Sequence, residues 1–295
     1  MYQQLISDFV QQERLPSSYA MDAMQCFLPL AQDIEADLKT NRQGPLLLGI
    51  NGAQGTGKST LAKLLSHLLT EKGFRVANLS IDDFYYSRAK RQELARDIHP
   101  LLGSRGVPGT HDVRLALRTL EQLADAGPEQ PVTLPAFDKS VDDCLKFEEC
   151  PTIRGPVDVI ILEGWFVGAK PQAEEDLDRA INELERLEDS DGRWRAYVNQ
   201  QLAGAYQALF DRIHSLFILQ APGFEQVLEW RSLQEQKLRE RAGEDASGLM
   251  DPEAIARFIQ HFERLTRHCL KTLPQSADRV FRLDAAHRIY AETDR

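Results

Sequence analysis

Basic residues are in short supply. The chain of 295 residues carries 35 Lys and Arg against 45 Asp and Glu, a formal net charge of −10. A protein that tracks a nucleic-acid backbone needs a broad basic surface, so nucleic acid is excluded as the main partner. Cysteine is scarce too. Cys26, Cys144, Cys150 and Cys269 have no C-x-x-C spacing and no histidine pattern beside them. That argues against structural zinc and against a disulfide framework, leaving four reduced thiols. No apolar run approaches the roughly 18 residues that a membrane span needs. The opening MYQQLISDFVQQERL lacks the basic end and apolar stretch of a secretory signal. The expectation is a soluble, cytoplasmic protein with no membrane partner. With 18 Gly and 14 Pro, low-complexity and collagen-like classes fall away, while 42% hydrophobic and 27% charged residues suit a globular core.

Charge is unevenly spread. Between Phe84 and Arg118 seven Lys and Arg face three Asp and Glu, a +4 island in an acidic chain. Such an island suits one small anion. The segment 173–191, by contrast, holds nine acids and two arginines and reads as a solvated helix face.

Periodicity gives an α/β order. Residues 1–43 read as two helices, broken near Pro16-Ser17-Ser18, with Met21, Met24, Phe27, Leu28, Ile34 and Leu38 at helical spacing. After Gly44-Pro45 comes the apolar run Leu46–Ile50, then a helical pattern over 58–69, then a strand from Arg75 to Ile81. An all-apolar first strand in a strand–helix–strand order marks a parallel unit buried on both faces. Further strands are expected at Val157–Leu162, Ser215–Leu219 and Val280–Leu283, with helices over 112–126, 193–212, 223–242 and 252–272. No linker divides the chain. The expected fold is a P-loop NTPase: a parallel sheet flanked by helices, with residues 1–43 as a helical extension, 44–295 as the main domain, and a helical lid.

The strongest local signal is Gly52-Ala53-Gln54-Gly55-Thr56-Gly57-Lys58-Ser59, which fits G-x-x-x-x-G-K-[ST] and sits between a buried strand and a helix start. Its chemistry needs those residue types. Glycines let backbone N–H groups close around phosphate oxygens, the helix start adds its positive dipole end, Lys58 reaches the β and γ phosphates, and Ser59 holds Mg²⁺. Gly52 through Ser59, together with Thr60, are therefore the nucleotide-binding residues. Asp158-Val-Ile-Ile-Leu-Glu163 is an apolar strand ending in an acid; Glu163 falls at the end where open sheets place ligands, and joins Ser59 as a metal ligand. Asp158 starts the strand. The second strand ends in Asp82-Asp83, acids placed to meet an attacking hydroxyl, although either could be a helix cap. Arg105 and His111, on a turn set by Gly106, Pro108 and Gly109, can pair with a carboxylate or phosphate. Arg231 and Lys237 lie on a helix that can close as a lid.

Ser80–Tyr85 (SIDDFY) is similar to the S-x-D-x-F-Y element of the uridine kinase, phosphoribulokinase and pantothenate kinase group. Arg105–Asp112 (RGVPGTHD) resembles the R-G-x-P-G-T-H-D block of D-glycerate 3-kinases. So do Phe137-Asp138-Lys139-Ser140, Glu163-Gly164-Trp165 and the W-R-x-x-Q lid segment at Trp230–Gln234. The resemblance runs from Gly44 to the end, and the segment after Ser140 departs from it by lacking the usual G-x-G-D-R. It implies an ATP- and Mg²⁺-dependent kinase acting on a hydroxyl of a small anionic molecule, D-glycerate first. A nucleoside or another hydroxy acid as acceptor, or a nucleotide-dependent switch with no acceptor, are the alternatives. It places Asp82 as catalytic base beside Lys58 and Arg231, with Asp83, Tyr85, Arg105, His111, Asp138 and Lys139 on the acceptor side.

Overall fold

A computed structural model describes residues 2–40, 44–242 and 252–294, with the backbone alone given for 234–242 and 252. The side chains of Gln234 and Lys237, expected in the lid, lie outside the described residues.

The N-terminal part is helical. Helix α1 (Tyr2–Gln12) buries Ile6 and Phe9. Helix α2 (Ser18–Asp22) runs through a π-helical stretch, Ala23–Phe27, into α3 (Leu28–Leu38). Strand β1 (Leu46–Gly52), buried along its whole length, leads through the glycine-rich loop into α4 (Lys58–Thr70). Strand β2 (Val76–Ser80) ends in a 3₁₀ turn, Ile81–Phe84, before α5 (Arg88–Asp97) and the strongly amphipathic α6 (Val113–Asp125). Four short strands follow as two small antiparallel ribbons: β3 (Pro131–Thr133) pairs with β6 (Thr152–Arg154), and β4 (Phe137–Asp138) with β5 (Asp143–Cys144). Then come β7 (Val159–Gly164), α7 (Glu183–Glu188), α8 (Arg193–Gln201), α9 (Gln207–Phe210), β8 (Ser215–Gln220), α10 (Phe224–Ala242), α11 (Pro252–Thr272), β9 (Arg279–Leu283) and β10 (Ile289–Asp294).

The main sheet has the order β10-β9-β8-β1-β7-β2, parallel throughout except for the antiparallel β10 edge. Strand β1 lies centrally, and successive residues feed opposite layers, as the period of two requires. Leu46, Leu48 and Ile50 join Phe9, Phe27 and Ile34 of the N-terminal helices and Leu61 and Leu65 of α4. Leu47 joins Ala116 and Leu120 of α6 and Trp165 on the other side. The N-terminal helices thus complete the layer that covers the back of the phosphate loop. Among the described residues no helix is long and apolar enough to cross a membrane.

Three expectations change. The acidic segment 173–191 is not simply a solvated face: Glu185 and Asp189 are fully buried. Glu185 takes a two-pronged ion pair from Arg264 (both bonds 2.7 Å), and Asp189 accepts the Trp194 amide and the Arg195 guanidinium. Charge counting missed this because both basic partners lie outside the segment; removing one member of such a buried pair costs about 3–5 kcal/mol. The helix over 193–212 is broken by a π-helical stretch, Leu202–Tyr206, with Gly204 in non-helical geometry. Strand β10 escapes detection because its sequence, IYAETD, is largely exposed and pairs on one side only.

Candidate active site

The phosphate loop is built by backbone geometry. Gly55 and Gly57 take φ of +85° and +91°, values that side-chain-bearing residues rarely adopt. Gly57 caps α4 in this left-handed conformation, so Lys58 opens the helix and the N–H groups of its first turn face the loop. Gly52 is needed for a different reason: a Cβ there would stand 2.4 Å from Thr56 Oγ1, whose hydroxyl donates to the Ala53 carbonyl at 2.9 Å.

Glu163 is buried at the C-terminal end of β7, in register with Ile50 of β1 and Ser80 of β2. The Ser59 hydroxyl donates to Glu163 Oε1 at 2.7 Å. Glu163 Oε2 is buried without a hydrogen-bond partner. A buried carboxylate oxygen left unpaired beside a serine hydroxyl fits the oxygen-only, partly hydrated coordination that Mg²⁺ prefers. Asp158, at the opposite end of the strand, accepts the Arg75 amide at 2.7 Å and serves the strand start.

The two acids after β2 part ways. Asp83 completes a capping box, accepting the Ser80 amide at 3.1 Å while the Ser80 hydroxyl caps the 3₁₀ turn. Burial is the main reason its carboxyl is pushed up to about 6, and the neighbouring Asp82 adds to this. The Asp82 carboxylate instead accepts the Lys139 ammonium at 2.6 Å and the Tyr85 hydroxyl at 2.9 Å. Burial alone would raise Asp82, but the charge and hydrogen bond of Lys139, with the charge of Lys58, hold it below the usual carboxylate range. That Lys58 acts on Asp82 means that the phosphate loop and the end of β2 share one cleft. A cavity of 690 Å³ between α6 and the small ribbons opens beside Asp83 and Tyr85.

The 105–112 turn is locked from several sides. The Trp165 indole donates to the Gly106 carbonyl at 3.1 Å, tying the turn to the end of β7. Gly106 (φ +139°) lies so close to Phe262 that a Cβ would meet its ring at 2.5 Å. The Gly109 amide donates to Tyr206 Oη at 2.9 Å, and Tyr206 Oη is 2.8 Å from His111 Nδ1. The phenol has one proton to give. With the Gly109 amide donating to its oxygen, the phenol is free to give that proton to Nδ1, an arrangement that leaves the imidazole's own hydrogen on Nε2. His111 is buried, stacked on Tyr85 at 4.4 Å, and burial pushes its pKa down to about 3. Any pairing of His111 with a carboxylate or phosphate would therefore be made by a neutral ring. Its Nε2 is buried without a hydrogen-bond partner.

Arg105 also differs from its simplest reading. Its guanidinium pairs with Asp142 and lies over the Phe137 ring, 5.5 Å from the centroid. Asp142 is held from its other side by the buried Arg91, at 2.9 Å. It sits in the segment that lacks G-x-G-D-R, so this stretch brings an acid to Arg105. Asp138 Oδ1 accepts the Ser140 amide and hydroxyl at 2.8 and 2.6 Å, which commits that oxygen to its own turn. Arg231 stands half-buried on α10, next to Trp230, whose Cβ lies 2.9 Å from where a Cβ on Gly55 would be.

The structure thus gathers Ser59 with Glu163, and Asp82 with Tyr85, Lys139 and the charge of Lys58. Tyr206, Asp142 and Arg91 are the site residues that sequence reasoning missed. Tyr206 looked like one more apolar position of a helix, and Asp142 like part of a divergent loop.

No protein-family model matches the chain. It is 35% identical over 234 residues to the uncharacterised kinase mug58 of Schizosaccharomyces pombe, covering 74% of this chain and 78% of that one. It is 28% identical over 253 residues to the chloroplastic D-glycerate 3-kinase of Arabidopsis thaliana, covering 81% of this chain but 52% of the plant protein, about half its length. Among solved structures, D-glycerate 3-kinase from Cryptococcus neoformans var. grubii superposes with a TM-score of 0.74 at 24% identity, over 92% of this chain and 99% of that one. That likeness is one of fold.

Proposed function

Since the chain belongs to the D-glycerate 3-kinase-like P-loop kinases, ATP-dependent phosphotransferases that act on a hydroxyl, we propose that it phosphorylates a small anionic hydroxy acid, with D-glycerate the leading acceptor. The observation that carries this reading is Asp82: an ionised carboxylate at the end of β2, acted on by Lys58 and hydrogen-bonded to Lys139 and Tyr85. In this reading residues 44–295 form the kinase domain and residues 1–43 an extension, whose helices α1 to α3 share its core.

The division of labour follows from the geometry. The loop from Gly52 to Gly57 and the first turn of α4, through Thr60, hold the phosphates by backbone amides. Lys58 sets a point charge on the β and γ groups. Ser59 and Glu163 would hold Mg²⁺, which when bound neutralises phosphate charge. Arg231 closes from the lid helix. Asp82 accepts the proton of the attacking hydroxyl once Lys139 yields to the acceptor. Asp83 holds the turn that aims Asp82, Tyr85 orients its carboxylate, and the neutral His111 offers a hydrogen-bond donor rather than a charge. Because the transferring group passes through a loose transition state, this positioning and charge neutralisation are most of the catalysis.

Arg105, with Lys139 beside it, is the anion reader of the acceptor side once its guanidinium exchanges Asp142 for the anion of the acceptor. The Arg105→Ala variant should raise the acceptor KM roughly tenfold or more, the loss expected for one charged hydrogen bond, while the ATP KM stays near its wild-type value. Steady-state ADP release with D-glycerate varied at saturating ATP, then the reverse, measures both. A change confined to the ATP KM would move Arg105 to the nucleotide side.

A different acceptor is the second reading. Two observations favour it: the absence of G-x-G-D-R after Ser140, and a cavity of 690 Å³ beside Asp83 and Tyr85, generous for a three-carbon acid. A panel of hydroxy acids, nucleosides and pantothenate, scored by acceptor-stimulated ADP release, separates the two. Stimulation by D-glycerate well below every other compound would replace glycerate as the substrate.

A further inference from the structure

The turn of the β4–β5 ribbon reaches two groups of the acceptor side at once. Lys139 meets the base: its ammonium lies 2.6 Å from Asp82 Oδ2. Asp142, three residues on, meets Arg105 with one carboxylate oxygen while the other takes the buried Arg91 at 2.9 Å. Each end of the segment thus carries the charge opposite to that of the group it touches. Further bonds behind the turn fasten the ribbon in place. Arg91 donates to the Asp142 carbonyl at 2.8 Å, and to the Tyr86 and Gly103 carbonyls at 3.1 and 3.0 Å. The Asp143 carboxylate accepts the Arg88 amide at 3.1 Å, and the Cys144 thiol donates to the Tyr85 carbonyl at 3.3 Å. Asp142 itself has a φ of +58°, a left-handed conformation that aspartate and asparagine tolerate better than most residues.

We propose that the segment Lys139–Asp142 is an internal stand-in for the acceptor, and that Asp142 is the residue that decides which acceptors displace it. The inference rests on the reading that Arg105 and Asp82 face the acceptor. With the ribbon seated, the anion reader holds a carboxylate and the base holds a cation. A neutral molecule, water included, offers Arg105 nothing in exchange for Asp142. An acceptor with a carboxylate or phosphate offers a like charge for the one displaced, and Asp142 retains Arg91 as its second partner. The exchange is therefore nearly even for an anion and costs a charge pair for anything else. Here the buried Arg91 acquires a purpose: it keeps Asp142 from becoming an unpaired charge when Arg105 turns to the acceptor. A second consequence concerns ATP. For hydrolysis, a water oxygen must bond to the γ-phosphorus as ADP leaves, with the water proton passing to Asp82. While Lys139 covers that carboxylate the proton has no acceptor, so ATP persists until an anionic substrate arrives. The device belongs to this chain's own sequence, since it lies in the stretch that lacks G-x-G-D-R.

Asp142→Asn suits the left-handed turn and keeps an oxygen for Arg91, but loosens the hold on Arg105. With D-glycerate varied at saturating ATP, the full-length variant should show an acceptor KM roughly three- to tenfold below wild type. That range lies between the worth of an exposed ion pair and that of a charged hydrogen bond. In the Arg105→Ala background the same substitution should leave KM where Arg105→Ala alone puts it, because Asp142 acts through Arg105. An unchanged or raised KM for folded Asp142→Asn overturns the inference, as does an equal fall in both backgrounds. Lys139→Met tests the other end without any acceptor, at a side chain that is 59% exposed. Its acceptor-free ADP release should run roughly three- to tenfold faster than wild type, the same range for one released pair. A rate at or below wild type means that Lys139 does not shield the base, and overturns the inference. Arg105→Ala that leaves the acceptor KM at its wild-type value would instead remove the reading on which the inference rests.

Discussion

The Lys58→Ala variant should lose phosphoryl transfer, with kcat down by roughly 10³-fold or more, in line with removal of a preorganised charge from a phosphoryl-transfer site. Lys58 opens α4 directly after a glycine in the left-handed conformation, so its backbone amide belongs to the phosphate loop and survives the substitution. What disappears is the ammonium. The loop keeps its shape, and the ATP Kd should therefore rise far less than kcat falls. A second effect follows from the shared cleft: Asp82 loses one of the charges that hold its carboxyl down. Acceptor-dependent ADP release and ATP titration on the same preparation test this, with circular dichroism to confirm folding. Turnover at the wild-type rate would mean that the working phosphate site lies elsewhere.

The second large effect separates two adjacent acids. Asp82→Asn keeps the shape of the side chain and removes its charge and basicity, so kcat should fall roughly 10²- to 10⁴-fold, the range for losing a positioned general base. ATP affinity should move little, because the phosphates are held by the loop. Asp83→Asn should cost much less. Its carboxylate serves the Ser80 amide, and an asparagine oxygen can still accept that bond, so the turn that aims Asp82 survives. The wild-type pH profile offers a second check. Lys139 and Lys58 hold Asp82 ionised below the usual carboxylate range, so the acidic limb of kcat should not carry the ordinary aspartate midpoint. Equal losses for the two asparagine variants would mean that the pair acts together on the metal. A larger loss for Asp83→Asn would transfer the role of base to that residue.

Why the sequence disclosed some of this and withheld the rest is a matter of how far apart the interacting groups lie. The phosphate loop is contiguous: eight residues carry the glycines, the lysine and the serine, and the flanking apolar run and helix pattern confirm the setting. The parallel strands declare themselves because both of their faces are buried, which forces unbroken apolar runs such as Leu46–Ile50. The hydrogen bond from Tyr206 to His111 spans 95 positions, and the Arg105–Asp142 pair spans 37. Nothing local in either segment marks the partner. The buried acids Glu185 and Asp189 were hidden for a related reason, since a residue's charge says nothing of whether an arginine will arrive from 79 positions away, as Arg264 does. Strand β10 is an edge and needs no apolar signature.

The neutral ring of His111 gives the acceptor turn a built-in proton debt. In the unfolded chain a histidine takes up its proton near pH 6.5. In the folded protein burial keeps this one neutral down to about 3. Between those values the unfolded state binds the extra proton and the folded state does not, so stability drains away as pH falls below 6.5 and the drain stops only near 3. By pH 5 the loss from this one group is on the order of 2 kcal/mol. The strain of acidification is thus concentrated where Tyr85, His111 and Tyr206 pack together, on the acceptor side of the cleft. The phosphate loop, built from backbone amides that do not titrate, has no such debt, and Asp83, held up to about 6 mainly by burial, takes up its proton more readily in the folded protein and offsets part of the loss.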